Sequence, residues 1–198
     1  MKRLLTTTLL CFGFALAAQD KIEWSEGYVI TIKDFMNPGT EIDPSRDAYA
    51  LSSGSGLEFL MQKNAYSFAL SKNFNNTVTA IFSRSSAFIV APDSVTANQL
   101  LNFARYSFDL TELYARKFRK RMNTEKETFS KSNFYQPIYE QVNSELNEEL
   151  SRIMKLTDLG RKEELLKQEH EQVALQMIDY QYFCKSCKPP KRKKPKSN

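Results

Sequence analysis

Histidine is nearly missing: the 198 residues contain one, His170. A zinc site built from protein needs three or four ligands, mostly imidazole or thiolate. One imidazole and three cysteines leave little to build it from. The cysteines are Cys11, Cys184 and Cys187, and Cys184-Lys185-Ser186-Cys187 is a CxxC that stands alone. A zinc ribbon needs a second pair. The pair also falls at the end of an expected helix, before Pro189-Pro190, whereas a thioredoxin-like redox pair opens one. A short Cys184–Cys187 disulfide, formed in an oxidising compartment and closing the helix end, is the expected state. Long apolar runs are lacking as well. After residue 18 no segment offers the roughly 20 apolar residues that span a bilayer. No serine or cysteine sits in a nucleophile motif, no spacing of carboxylates makes a calcium loop, and no internal repeat is present.

What is there begins with an export pattern. Lys2 and Arg3 precede a mostly apolar stretch, Leu4 to Leu16, and Ala15-Leu16-Ala17 offers small residues for cleavage after Ala17 or Ala18. Residues 1–18 are therefore expected to be a signal peptide, and the mature chain exported, periplasmic or extracellular. Thr8-Leu9-Leu10 lacks the small residue that would make Cys11 a lipidation site. About 180 residues follow, enough for one domain with a real core, expected over 19–183.

Charge is divided along the chain. Of 28 basic residues the signal holds two and the stretch from Cys184 onward holds seven, which leaves 19 against 23 acidic residues in the body. The body is mildly acidic, and the high isoelectric point comes from the tail. Residues 184–198 are expected to form a disordered basic tail carrying the CxxC. That tail reads as a solubilising terminus, with contact to an anionic surface as the alternative. Nucleic acid in the cytoplasm conflicts with the export signal, and no aromatic platform accompanies the charges. The sequence identifies no protein or envelope partner.

Trp24 and then Tyr28-Val29-Ile30-Thr31-Ile32 read as strand. Turns are expected at Asn37-Pro38-Gly39 and Asp43-Pro44-Ser45-Arg46. Ala48 to Gly56 reads as a strand entering a turn, Leu57–Leu60 and Tyr66–Leu70 as the arms of the next pairing, and Val78–Ser83 as a further strand. Asp93 and Ser94, after Pro92, start a helix. From there Ala97, Leu101, Ala104, Phe108, Thr111, Ala115, Phe118 and Met122 recur at spacings of three and four, one apolar stripe of a long amphipathic helix. Asn123–Pro137 reads as a polar connection. Ile138, Val142, Leu146, Leu150 and Ile153 mark a second helix, Leu156–Gly160 breaks it, and Glu163 to about Phe183 makes a third with Leu166, His170, Val173, Met177 and Tyr180 on its inner face. Sheet first and helices after predicts an α+β fold: a small, mostly antiparallel sheet against a long central helix and two C-terminal helices.

The central helix also carries a resemblance. Leu100-Leu101-Asn102-Phe103-Ala104-Arg105-Tyr106-Ser107-Phe108-Asp109-Leu110-Thr111-Glu112-Leu113-Tyr114-Ala115-Arg116-Lys117-Phe118-Arg119-Lys120 resembles the central helix of a family of secreted bacterial predicted zinc-dependent proteases. That family's helix reads roughly LL-x-HEQxHFD-x-x-E-x-x-AR-x-x-R. The Asp34-Phe35 pair after a tryptophan-bearing strand and the Ala48–Gly56 segment are further points of similarity. The resemblance implies a zincin-like domain. It also implies that Phe103 and Ser107 stand where the two zinc-binding histidines belong, and Ala104 where the glutamate belongs. Imidazoles four residues apart share one helix face and one metal, and the glutamate takes a proton from zinc-bound water. Phenylalanine, serine and alanine supply none of this, so no catalytic residue, metal or cofactor is expected. Asp109 and Glu112 match positions just after the motif. They read as polar residues of a solvated face, with a remnant of the former cleft as the alternative. His170 reads as an inner-face histidine with a hydrogen-bond partner, or as a remnant ligand or base; Glu164, Leu165 and Gln168 depart from the family's YD-x-x-T-x-H pattern there. The implied protein is an exported pseudoenzyme that binds or supports something. A hydrolase of altered chemistry, using His170 with Glu112 or Asp109, is the competing expectation.

Overall fold

The structure is a computed structural model, and it describes residues 20–60, 71, 73–126 and 133–191. Six strands come first: β1 (Lys21–Glu23), β2 (Glu41–Ile42), β3 (Ala50–Ser52), β4 (Ser55–Phe59), β5 (Val78–Ser83) and β6 (Phe88–Ala91). Three helices follow: α1 (Ser94–Glu125), α2 (Tyr135–Thr157) and α3 (Glu163–Asp179). The fold is α+β, with two small sheets rather than one. In the first, β5 lies between β1 and β4, antiparallel to both. In the second, β6 lies between β2, which runs parallel to it, and β3, which runs antiparallel. Gly54 makes the turn between β3 and β4 at φ +65°, where a Cβ would stand 2.7 Å from the Ser83 carbonyl oxygen. The expected arm at Leu57 pairs with Ala80 of β5. Its other expected arm, Tyr66–Leu70, lies outside the described residues.

The strand expected over Tyr28–Ile32 does not form. After Gly27 the chain is irregular, then closes a 3-10 turn at Ile32–Asp34. Local polar chemistry outweighs β propensity there. The buried Asp34 carboxylate accepts hydrogen bonds from the Thr31 amide and hydroxyl and from the Tyr28 hydroxyl, and pairs with Arg84 at 3.2 Å. A side chain that captures its own upstream backbone favours a turn over a ladder.

Helix α1 is the axis of the molecule. The Asp93 carboxylate accepts from the Thr96 amide and caps its first turn. At 32 residues it is about 48 Å long. The whole expected stripe from Ala97 to Met122 is buried. Its first half packs with Ile30, Phe35, Phe82 and Ile89 against the sheets. The adjoining face meets Ile138, Val142 and Ile153 of α2 and Leu166 and Val173 of α3. Because α1 is covered on both sides, 19 of its residues are buried, including charged ones.

The connection expected over Asn123–Pro137 is shorter at both ends. Helix α1 continues through Glu125, and α2 opens at Tyr135 with Pro137 in its first turn, where a missing N–H costs nothing. The break after α2 falls where expected. Asp158, Leu159 and Gly160 all take positive φ, and a Cβ on Gly160 would lie 2.6 Å from the Gln99 carbonyl oxygen. Beyond α3 a 3-10 turn at Gln181–Phe183 returns the chain to the body. The segment expected to leave the body at residue 184 is still held to it. Cys184 and Cys187 are joined by a disulfide, and the Cys187 carbonyl accepts from Asn73 and Asn75 side chains at 3.1 and 3.0 Å.

Candidate functional site

The three positions aligned with the absent metal motif all point into packed protein. Ala104 is fully buried among the residues that face the sheets. Phe103 and Ser107, one turn apart, face α2 and the loop after it. The Phe103 ring lies 6.0 Å from that of Tyr106. The Ser107 hydroxyl donates to the Phe103 carbonyl at 2.9 Å, a bond within the helix itself. Between these two residues and Leu51, Ser53, Leu150, Ser151, Met154 and Leu159 a cavity of about 160 Å³ remains. Its walls are mainly hydrocarbon. Among the described residues no three His, Cys, Asp or Glu side chains converge.

Glu112 departs from the solvated face read for it, and Asp109 stands at the edge of that face, partly exposed and hydrogen-bonded. Glu112 is 3 % exposed and does not reach any cleft. Its Oε1 accepts from Arg116 Nε and from Arg119 Nη1, each at 2.9 Å. Arg119 also donates to the carbonyls of Val78 and Phe183, and Arg116 to that of Met177. One carboxylate and two guanidinium groups thus join α1 to β5, to the last turn of α3 and to the end of the 3-10 turn that follows it. The spacing of four and then three keeps them on one helix side. These residues are the E-x-x-AR-x-x-R part of the resembling stretch, and in this chain they hold architecture.

Asp109 belongs to a second polar joint. Its Oδ1 accepts from the Trp24 indole at 2.7 Å, and its Oδ2 lies 2.6 Å from His170 Nε2. The Tyr106 ring meets the imidazole edge-on at 5.8 Å, and the Arg116 guanidinium lies 5.3 Å from the Trp24 ring. Side chains from beyond β1, from α1 and from α3 therefore converge on one carboxylate. Asp109 and His170 keep about a third of their side-chain surface exposed, so the pair is reachable. No serine, threonine or cysteine hydrogen-bonds to His170 among the described residues.

His170 also lines a groove of about 480 Å³ between α1 and α3, with Asn102, Arg105, Lys167, Glu171 and Ala174. Arg105 is held in place there: Nε donates to the Ile30 carbonyl at 2.8 Å and Nη1 to Asn102 Oδ1 at 2.9 Å. The groove mixes one fixed cation, Arg105, and the exposed Lys167 with carboxylates over a mainly apolar floor, which suits a ligand with charge of both signs more than a purely anionic one.

Burial governs the remaining titratable groups near this face. It pushes the Tyr106 phenol well above its usual range, with Glu149 and Glu169 adding to the effect. It pushes Tyr114 up to about 12, again helped by Glu149. It lowers Lys117, which sits 4.1 Å from the Tyr114 ring. Neither phenol serves as a proton carrier near neutral pH.

The resemblance singled out Phe103, Ala104 and Ser107 but not their packing, and Phe103 and Ser107 line a different cavity from His170. The Trp24–Asp109 bond spans 85 residues; only the isolated tryptophan gave a signal for it. Neither a family model, nor a curated protein, nor a solved structure matches this chain.

Proposed function

We propose that this chain is an exported, zincin-like protein whose zinc site has been lost, and that it works as a non-catalytic binding or structural protein of the cell envelope. One observation carries the reading: the two helix positions that would present imidazoles hold a buried phenyl ring and a hydroxyl already bonded to its own helix. Metal ligation there would need strong donors, and a phenyl ring offers none and a neutral hydroxyl a poor one. The space beside Phe103 is small and mainly apolar, with Ser53, Ser107 and Ser151 as the polar groups of its wall. Export is supported by the basic start, the apolar run and the small residues before Gln19.

The test is metal content and proteolysis together. Purified protein is incubated with Zn²⁺, dialysed and measured for bound metal, then assayed on a mixed peptide substrate. The expected result is no stoichiometric zinc and no cleavage that a chelator removes. Cleavage abolished by a chelator and restored by Zn²⁺ overturns the proposal.

A second reading, hydrolysis by altered chemistry, is favoured by one feature: the reachable His170–Asp109 pair beside the groove. A carboxylate that orients an imidazole is half of a general-base system. Chelator-insensitive turnover of an ester or peptide that disappears in His170→Gln supports this reading over the first.

A further inference from the structure

Five charged side chains line the groove between α1 and α3, and none of them forms an ion pair among the described residues. They are Arg105 on α1 and Glu163, Glu164, Lys167 and Glu171 on α3. Elsewhere on α3 charge is matched: Glu169 meets Arg152 at 3.0 Å. Arg105 is the most constrained of the five. It is partly buried, and two of its nitrogens are already engaged, Nε with the Ile30 carbonyl and Nη1 with Asn102. Both acceptors are neutral. Nη2 has no partner among the described residues. A guanidinium fixed in this way keeps its charge and a donor edge for an anion from outside, and a carboxylate is the anion whose shape that edge fits.

The groove is bounded at two levels by contacts that cross it. Gln99 Nε2 donates to Glu163 Oε1 at 2.9 Å at the first, and Asp109 lies 2.6 Å from His170 at the second. Partners advance together along both helices, so α1 and α3 run side by side in one direction and Arg105 stands level with Lys167. From Glu163 to His170 the helix rises about 10 Å. Two extended residues reach about 7 Å, and a third takes up the whole interval with nothing left for its terminal groups. Glu164 lies one turn before Lys167 and Glu171 one turn after it, each about 5 Å along the axis. Leu166 and Ala174 give the lining its apolar part. The pattern is a pair of cations at mid-groove, unpaired carboxylates one turn to either side, and hydrocarbon beneath. An anion alone would be repelled by Glu164 and Glu171, and a cation alone by Arg105 and Lys167.

We propose that this groove binds an unmodified dipeptide with apolar side chains. Its terminal carboxylate meets Arg105 and Lys167, its ammonium lies one turn away among the Glu164 and Glu171 carboxylates, and its side chains rest on Leu166 and Ala174. The proposal gives the binding role above a ligand and rests on that role. Titration of zinc-free protein keeps the two apart. Failure to bind a dipeptide leaves the emptied metal motif as it is, whereas chelator-sensitive cleavage removes the non-catalytic role whatever the titration shows.

The experiment is isothermal titration of the full chain with leucyl-leucine, with its N-acetyl form, which lacks the ammonium, with its C-terminal amide, which lacks the carboxylate, and with free leucine. Leucyl-leucine is expected to bind at one site per chain, and each of the other three about tenfold more weakly or worse, the loss expected when a charged group forfeits its hydrogen bonds. Lys167 is exposed and has no hydrogen bond or ion pair among the described residues, so Lys167→Glu leaves the fold intact; it is expected to weaken leucyl-leucine at least about tenfold. Glu164→Gln with Glu171→Gln should weaken leucyl-leucine several-fold and leave the N-acetyl form unchanged or tighter. Leucyl-leucine affinity weaker than about 1 mM overturns the proposal. So does a one-charge analogue that binds as tightly as leucyl-leucine, which would make this an anion or a cation site, and so does free leucine binding more tightly than the dipeptide. An affinity that Lys167→Glu leaves unchanged places the ligand elsewhere and overturns it too.

Discussion

Glu112→Ala is expected to destabilise the protein by about 3–5 kcal/mol, the cost of leaving a buried charge without its partner. The carboxylate lies 2.9 Å from two guanidinium groups at once. Arg119 is 1 % exposed and held by two carbonyls, so it has no route to water once Glu112 is gone. Arg116 is little better placed, with its side chain 11 % exposed. An exposed ion pair would be worth about 0–1 kcal/mol, so the size of the loss separates the two situations. For a chain of this length 1 kcal/mol moves the midpoint by about 2–4 °C, and the variant should melt about 6–20 °C lower. Urea unfolding followed by far-ultraviolet circular dichroism supplies the free energy directly. Glu112→Gln keeps an acceptor and removes the charge, and should fall between the variant and the wild type. A Glu112→Ala protein within about 1 kcal/mol of the wild type would falsify the account of this network as a buried charge centre.

Three further outcomes follow from single positions. The Tyr106 hydroxyl is buried without a hydrogen-bond partner among the described residues; Tyr106→Phe should therefore stabilise by about 1 kcal/mol in the same urea assay, and a loss would show that the hydroxyl is satisfied. Gly54→Ala forces a Cβ to within 2.7 Å of a backbone oxygen at positive φ, whereas a Cβ on Gly56 meets nothing within 4 Å; the first should lose more than about 1 kcal/mol and the second far less. The Thr96 amide holds the Asp93 carboxyl below its usual range, so its capping contribution is complete above the unfolded value of about 3.9 and is lost as pH falls through the lower folded one; Asp93→Ala should melt below the wild type at neutral pH, and the gap should close in strong acid.

The helical layer was readable because periodicity and burial report the same thing. Every residue of the stripe from Ala97 to Met122 faces the core, and the break at Leu156–Gly160 follows from residues that leave the right-handed region. The β half was less readable. Its strands are two to six residues long, too short for alternation to settle, and Tyr28–Ile32 shows a β-rich run overruled by one aspartate. Polar residues of α1 were misread for a different reason. A carboxylate on an amphipathic helix normally marks the wet side, but α1 is enclosed by sheets on one side and helices on the other. Glu112 is paired along the same helix, yet Val78 and Phe183, which complete its network, lie far away in sequence. Asp109 depends on Trp24 and His170 in the same way. Local sequence carries no sign of partners 41 to 85 residues distant.

Trp24 is the chain's sole indole, and it is fastened to the carboxylate that also receives His170. The nine tyrosines absorb little at the red edge of the aromatic band, so emission excited there originates at one address, where the first strand meets the central and third helices. Quenching or a spectral shift reads the opening of that seam alone, while rearrangements around Tyr49 or the far end of α2 pass optically silent. A fluorescence melt and a dichroism melt that coincide would mean that the seam and the helices come apart as one cooperative unit.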